Sequence, residues 1–325
     1  MLGRIGSHVS YAASVCTESC CRIVSVRAGG ISPGSHLPCA RPEPEYYYRI
    51  ARSIAREHTF AIEPLVFQNK ELADSRGRDG LFYAQYAPGL PIALVPLVLA
   101  GDRMKELMSG FAANYFWFYK SEGDIGPRVV ASYFNILISA ITVGLLTLLI
   151  VQLGYPVSAV FFTGLSLAVS TFAWGQARIV FVEPLQGLLF VAASLLLLRA
   201  TRARSVMGGC MLALAILVKI TSILALPAFL LLPNERGELL YRRRSTLVGL
   251  IVPVAIGLGA YGWYNWIRFG SFTAIGYSNL GSEVEFRGNA LGNPFIGLYG
   301  LLLSSGRDRI VSFALFLVPR FQRKT

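Results

Sequence analysis

Seven ionisable residues lie at the edges of, or inside, the apolar runs of this chain: Glu43, Glu45, Asp79, Arg178, Glu183, Lys219 and Arg268. Charged groups beside hydrocarbon are costly, so a set that gathers on one membrane face implies a wet cavity with a purpose. Three cations with several carboxylates match the needs of transfer from a phosphate-linked donor. Arginine and lysine hold the phosphate leaving group, and a carboxylate takes the proton of an acceptor hydroxyl. Plainer roles stand beside these. Arg178 and Glu183 can form an interfacial ion pair, Glu43 and Glu45 can cap a helix, Lys219 can snorkel or pair with Glu183, and Arg268 can snorkel to headgroups. No Walker loop, GxSxG elbow, HExxH or dinucleotide-binding glycine pattern occurs, so nucleotide-driven and hydrolytic mechanisms have no residues to rest on. The pattern identifies no certain cofactor; external carboxylates can bind a divalent metal cation, but no ligand spacing singles one out.

The elements that must position these residues are membrane spans. Of the 325 residues 54% are hydrophobic and only 15% charged, with a mean hydropathy of +0.53. The apolar residues are massed in runs long enough for a bilayer, which predicts an all-α, polytopic transmembrane helix bundle. A net charge of +12 would suggest nucleic acid in a soluble protein. Here Lys and Arg sit mainly in short loops between apolar runs, the pattern of topology signals facing anionic lipid. Nucleic-acid binding is not indicated. Four of the five cysteines precede residue 40 without a zinc spacing, and they do not identify a redox compartment.

Residues 1–42 are rich in Ser, Gly, Cys and Arg and read as an irregular or disordered tail. Residues 43–127 read as an external juxtamembrane region. Within it Tyr46, Ile50, Ile54 and Ala55 share one helical face opposite Arg49, Arg52 and Arg56, which suits a membrane surface. The polar loop Gln68–Gly80 follows, and the proline-bearing run Ala87–Gly101 is short for a span and reads as re-entrant or surface-lying. Residues 128–319 read as the helix bundle: Val129–Val151, Pro156–Trp174, Pro184–Leu198, Val206–Leu232, Leu247–Tyr264, Pro294–Leu303 and Ile310–Pro319. Residues 320–325 form a basic tail. The stretch Asn265–Tyr277 reads as a polar loop opening after the Trp263, Tyr264 and Trp266 anchor, with Arg268 at the membrane mouth.

Charge tests the topology. The most basic short loops are Arg199–Arg204 and Arg236–Arg244, and both should face the cytoplasm. One straight helix from Val206 to Leu232 would part them. A bend at Lys219–Ser222 keeps them together and puts Lys219 at the external face, with Glu43, Glu45, Asp79, Arg178, Glu183 and Arg268.

The order of the segments EPEYYYRIARSI, RDGLFYAQYAPGLPIALVPL, ARIVFVEPLQGLLF, LAILVKITSILALP, NWIRFGSFTAIGY and GLYGLLLSSGR, across residues 43–307, resembles the GT-C membrane glycosyltransferases. The likeness is to the broad group of protein O-mannosyltransferases, aminoarabinose transferases and bacterial glycosyltransferase family 39 relatives. The resemblance implies a polyprenyl-phosphate-linked sugar donor and a lipid, protein or glycan acceptor. It implies inverting transfer without nucleotide, on the external face of a bacterial-type inner membrane. It places the catalytic base on Glu43, with Glu45 second, and the lipid-phosphate contacts on Lys219 and Arg268. The family begins with a span ahead of its acidic loop and continues past the SSGR segment, so the chain reads as a fragment shortened at both ends, whose activity alone is not implied. A transporter or flippase for a lipid-linked or anionic substrate is the alternative. A structural membrane subunit is the third reading.

Overall fold

The computed structural model describes residues 12–17, 20–27, 30–32, 43–63, 65–67, 70–72, 75–104, 124–169, 172–177, 179–199, 201–234 and 237–274. Described residues are mostly helical, as the all-α reading expects. Among the described residues two helices are long and apolar enough to cross a membrane: Gly126–Gln152, of 27 residues, and Arg244–Phe269, of 26. The expected segments Pro294–Leu303 and Ile310–Pro319 and the basic tail lie outside the described residues.

Small sheets replace two irregular stretches. Where composition predicts a disordered tail, β1 (Ala12–Thr17), β2 (Cys20–Arg27) and β3 (Gly30–Ser32) form an antiparallel sheet. The reason is local: Ile23, Val24 and Val26 give β2 the β-branched content that favours a pleated strand. In and around the predicted polar loop, β4 (Leu65–Phe67) pairs with β5 (Lys70–Leu72), and β6 (Ser75–Arg76) with β7 (Phe82–Tyr83).

The helices are α1 (Glu43–Glu57), α2 (Gly89–Arg103), α3 (Ile125–Ser132), α4 (Phe134–Gln152), α5 (Val157–Val169), α6 (Phe172–Ala177), α7 (Val182–Leu198), α8 (Arg202–Val218), α9 (Leu226–Leu230) and α10 (Arg244–Phe269). Their directions follow from a few contacts. Gly164 of α5 packs on Thr147 of α4, and Asn135 at the start of α4 donates to the carbonyls of Ile179 and Phe181 just before α7. Leu197 of α7 covers Gly208 of α8, while Glu183 at the other end of α7 reaches Lys219. So α4 and α7 start at one end, and α8 returns to it.

The contact between α8 and α10 is parallel: Ser205 meets Gly249, Gly209 meets Leu250, and Ala213 meets Gly257. A Cβ on Gly209 would stand 2.7 Å from the Gly249 carbonyl oxygen, so only glycine admits this approach. Parallel neighbours need the chain between them to come back. It does so through the break at Lys219 (φ −154°, ψ 115°), a 3-10 turn at Ile220–Ala225, α9 and an irregular return to Arg243. The expected bend is therefore a break followed by a return. The loops around Arg202 and Arg243 share one end of the helical body; Lys219 and Arg268 share the other.

α2 lies across the Lys219 end. Gly89 packs on the backbone of Leu217 and Val218, and Gly101 on Gly126 and Pro127, so neither terminus leaves that end. The core beneath it joins Tyr46, Tyr47 and Ile50 of α1 to Leu90, Leu94 and Val98 of α2, Phe134 and Ile138 of α4, and Leu185 of α7.

Candidate functional site

Arg268 sits inside the last turn of α10 rather than in the loop that the sequence predicts. Gly270, at φ 76°, closes the helix in the left-handed conformation that glycine adopts freely, which carries the helix through Arg268 and Phe269. The side chain turns inward and is 1% exposed. Its Nη1 donates to the Ala84 carbonyl at 2.7 Å, its Nη2 to Asn265 Oδ1 at 2.8 Å, and its Nε to the Tyr264 carbonyl at 3.4 Å. The guanidinium lies 3.7 Å from the Tyr264 ring centroid and 4.6 Å from that of Phe269. These bonds and ring faces replace water around a buried cation. Here Arg268 neither snorkels nor opens onto a cavity; it ties the 75–86 segment to α10. Two further bonds close the same joint: Arg78 N–H donates to the Arg268 carbonyl at 2.9 Å, and the Tyr264 hydroxyl to the Tyr86 carbonyl at 3.3 Å.

Asp79 serves the turn between β6 and β7. It accepts from Leu81 N–H at 3.0 Å and from the Tyr83 hydroxyl at 2.7 Å. The Tyr83 hydrogen bond, foremost, holds the Asp79 carboxyl below its usual range, while burial and then Asp79 push the Tyr83 phenol up to about 12.

Lys219 Nζ donates to Glu183 Oε1 at 2.8 Å, and both side chains are two-fifths exposed, at 40% and 42%. The pair is therefore open to solvent or ligand. Behind it Gln186 Nε2 donates to Ser222 Oγ at 2.8 Å, and Ser222 Oγ to the Ala215 carbonyl at 2.8 Å. That hydroxyl is a second donor to the Ala215 carbonyl, which also accepts from Lys219 N–H at 2.9 Å where α8 stops.

Glu45 has a structural occupation. Arg128 of α3 grips it with two nitrogens, Nη2 to Oε1 at 2.9 Å and Nη1 to Oε2, and Arg49 Nε donates to Oε1 at 2.7 Å. Burial alone would raise its pKa, but Arg128 and then Arg49 outweigh that and hold it below the usual carboxylate range. A carboxylate so engaged is a weak base. One turn on, Asp124 receives Arg52 Nη1 at 2.6 Å and Arg56 Nη2 at 2.9 Å, and Arg56 also binds Asp102 at 2.6 Å. Burial again raises Asp124, and Arg52 and Arg56 more than reverse it. The arginine face of α1 thus binds α2 and α3. Arg128 also lies 4.4 Å over the Tyr48 ring, whose buried hydroxyl has no hydrogen-bond partner among the described residues.

Of the residues that the sequence singles out, Asp79, Glu183, Lys219, Arg268 and Glu45 come to one end of the helical body. They do not form one cluster: Glu183–Lys219, Asp79–Tyr83 and Glu45–Arg128 are separate pairs, and Arg268 has no carboxylate partner among the described residues. Glu43 opens α1, but its side chain and the whole of Arg178 lie outside the described residues. Asp124, Arg128 and Asn265 were missed. Asp124 carries the signal of a helix start, an acidic residue just ahead of Ile-Gly-Pro. Among the described residues no group of three or more His, Cys, Asp or Glu could hold a metal ion.

No family model, no curated protein and no solved structure matches this chain. The site is therefore read from its own geometry: a solvent-open lysine–carboxylate pair at a helix break, on the end that also carries Asp79, opposite the arginines of 199–204 and 242–244.

Proposed function

We propose that this chain is a multi-pass membrane glycosyltransferase that moves a sugar from a polyprenyl-phosphate donor to a hydroxyl acceptor at the external face. The observation that carries this reading is the parallel pairing of α8 with α10. It sets the open Lys219–Glu183 pair at one end and the short-loop arginines of 199–204 and 242–244 at the other, a placement that the positive-inside rule favours for short loops, while the arginines at the Lys219 end belong to the longer 43–128 region. Outward-facing Val157, Phe161 and Phe162, at 84%, 70% and 70% exposure, give the helical body an apolar outer surface that suits lipid.

In this reading Lys219 holds the donor phosphate, since its amine is exposed and Arg268 is not. The acceptor oxygen attacks the anomeric carbon, the carbon–oxygen bond to phosphate breaks, and the lipid phosphate leaves against Lys219. The hydroxyl proton passes to a carboxylate. Glu183 is placed for this, freed as Lys219 turns to the phosphate; Glu45 is committed to arginines. The test is release of polyprenyl phosphate from a polyprenyl-phosphate hexose by purified protein. Lys219→Met and Glu183→Gln should each lose on the order of a hundredfold, while Glu43→Gln tests the base that the family resemblance implies. Equal turnover in every variant would overturn the assignment.

The break at Lys219 also favours the second reading, a transporter or flippase, because transporters build substrate sites at interrupted helices. Substrate crossing proteoliposomes with no sugar transferred would select it.

A further inference from the structure

Arg76 and Arg78 flank Gly77 on the turn that Arg268 ties to α10, and both are exposed. Neither has an ion-pair partner among the described residues. Each rests instead on an aromatic face, Arg76 at 5.0 Å from the Phe82 centroid and Arg78 at 5.5 Å from that of Trp266. Among the described residues the neighbouring carboxylate is Asp79, which already accepts from Tyr83 and Leu81. Beside Arg78 opens a shallow depression of 390 Å³, lined by Arg78, Asp79, Trp266 and Ile267. Trp266 and Ile267 are 41% and 43% exposed, and Trp263, one turn below, is 58% exposed. Counting from Arg244, about twenty residues of helix cross a hydrocarbon layer, which brings Trp263 and Trp266 to headgroup depth.

We propose that this rim is a binding site for an anionic phospholipid of the leaflet it faces. The phosphodiester sits between Arg76 and Arg78, and the upper acyl chain lies on Trp266, Ile267 and Trp263. Guanidinium matches phosphate oxygens, and cations parked on ring faces are released to an anion without breaking an ion pair. The depression is open and has no wall to read a headgroup, so it fits an abundant bilayer lipid rather than a discriminated substrate. Its bound lipid would seat the 75–83 turn, and through Arg268 the start of α2, on the membrane. The site rests on the membrane reading above and not on sugar transfer.

The test uses the full chain in nanodiscs with trace diazirine-tailed phosphatidylglycerol or phosphatidylcholine, and maps labelled peptides by mass spectrometry. Labelling of the peptides carrying Trp263–Ile267 should favour phosphatidylglycerol by about fivefold for each arginine near the surface. Arg76→Ala with Arg78→Ala should bring it to the phosphatidylcholine level, and the paired lysine variant should keep most of it. Arg242→Ala with Arg243→Ala, at the opposite end, should leave these peptides unchanged. Equal labelling by the two lipids, unchanged labelling in the alanine variant, or displacement of the lipid by inorganic phosphate would each overturn the proposal. Because no sugar transfer is read, a failure here leaves the transferase reading untouched, and absent transfer leaves this site untouched.

Discussion

Arg268 donates to the carbonyl of Ala84, 184 positions earlier in the chain, at 2.7 Å. That bond joins the last turn of α10 to the segment between β7 and α2, so the helix end and the charged turns above it move as one unit. Removing the guanidinium leaves the Ala84 carbonyl and the Asn265 amide oxygen buried without that donor. Arg268→Ala should therefore cost about 2–4 kcal/mol, read as a lower thermal midpoint in detergent. Arg268→Lys should recover little, because one ammonium cannot reach both acceptors and stack on Tyr264. A midpoint unchanged in Arg268→Ala would contradict the role.

The parallel contact of α8 and α10 makes a paired prediction. Alanine at Gly209 would press on the carbonyls of Gly249 and Leu250, whereas at Gly144 a Cβ meets nothing within 4 Å. Gly209→Ala should destabilise by about 1–3 kcal/mol, and Gly144→Ala should be neutral or slightly stabilising. Similar unfolding curves for the two variants would mean that these helices do not pack as described.

Acid should loosen the α1–α3 joint. The carboxyls of Glu45 and Asp124 are held below their ordinary values of 4.5 and 3.8 by the arginines around them, despite burial. A depressed folded value contributes stability that is present above the ordinary value and is lost as pH falls through the folded one. Stability measured by chemical denaturation should thus decline below about pH 4.5, and Glu45→Gln should flatten that decline. A Gln variant with the wild-type acid slope would remove Glu45 from the account.

Lys219 and Glu183 should behave as a functional pair rather than a structural one. At two-fifths exposure the ion pair contributes at most about 1 kcal/mol. Exchanging the charges, Glu183→Lys with Lys219→Glu, should restore stability and not transfer. An exchanged protein as active as the wild type would reduce the pair to a surface salt bridge.

How far the sequence carries is clearest at Lys219. Two arginine-rich loops on either side of one apolar run demand a break between them, and the break falls at Lys219 with Glu183 as partner. The end of α10 was also legible, since Arg-Phe-Gly-Ser offers the glycine that a helix terminus uses, yet the loop was placed too early. What could not be read is where Arg268 points. Its acceptors are a backbone carbonyl and an asparagine, and a carbonyl has no residue type to recognise. The arginines of α1 misled for a related reason: the polar face fits a membrane surface equally well until Asp124 and Arg128, 72 positions from Arg52 and 83 from Glu45, are known to face it. Chain-distant ion pairs leave no periodic trace.

The most direct test is the sidedness of the two helix ends. Single cysteines at positions 219 and 272, and at 202 and 242, would be introduced with the five native cysteines replaced by serine. Each would be labelled with an impermeant maleimide in sealed vesicles of one orientation. The account predicts that 219 and 272 react from one side and that 202 and 242 react only from the other. Reaction of 219 and 272 from opposite sides would contradict it.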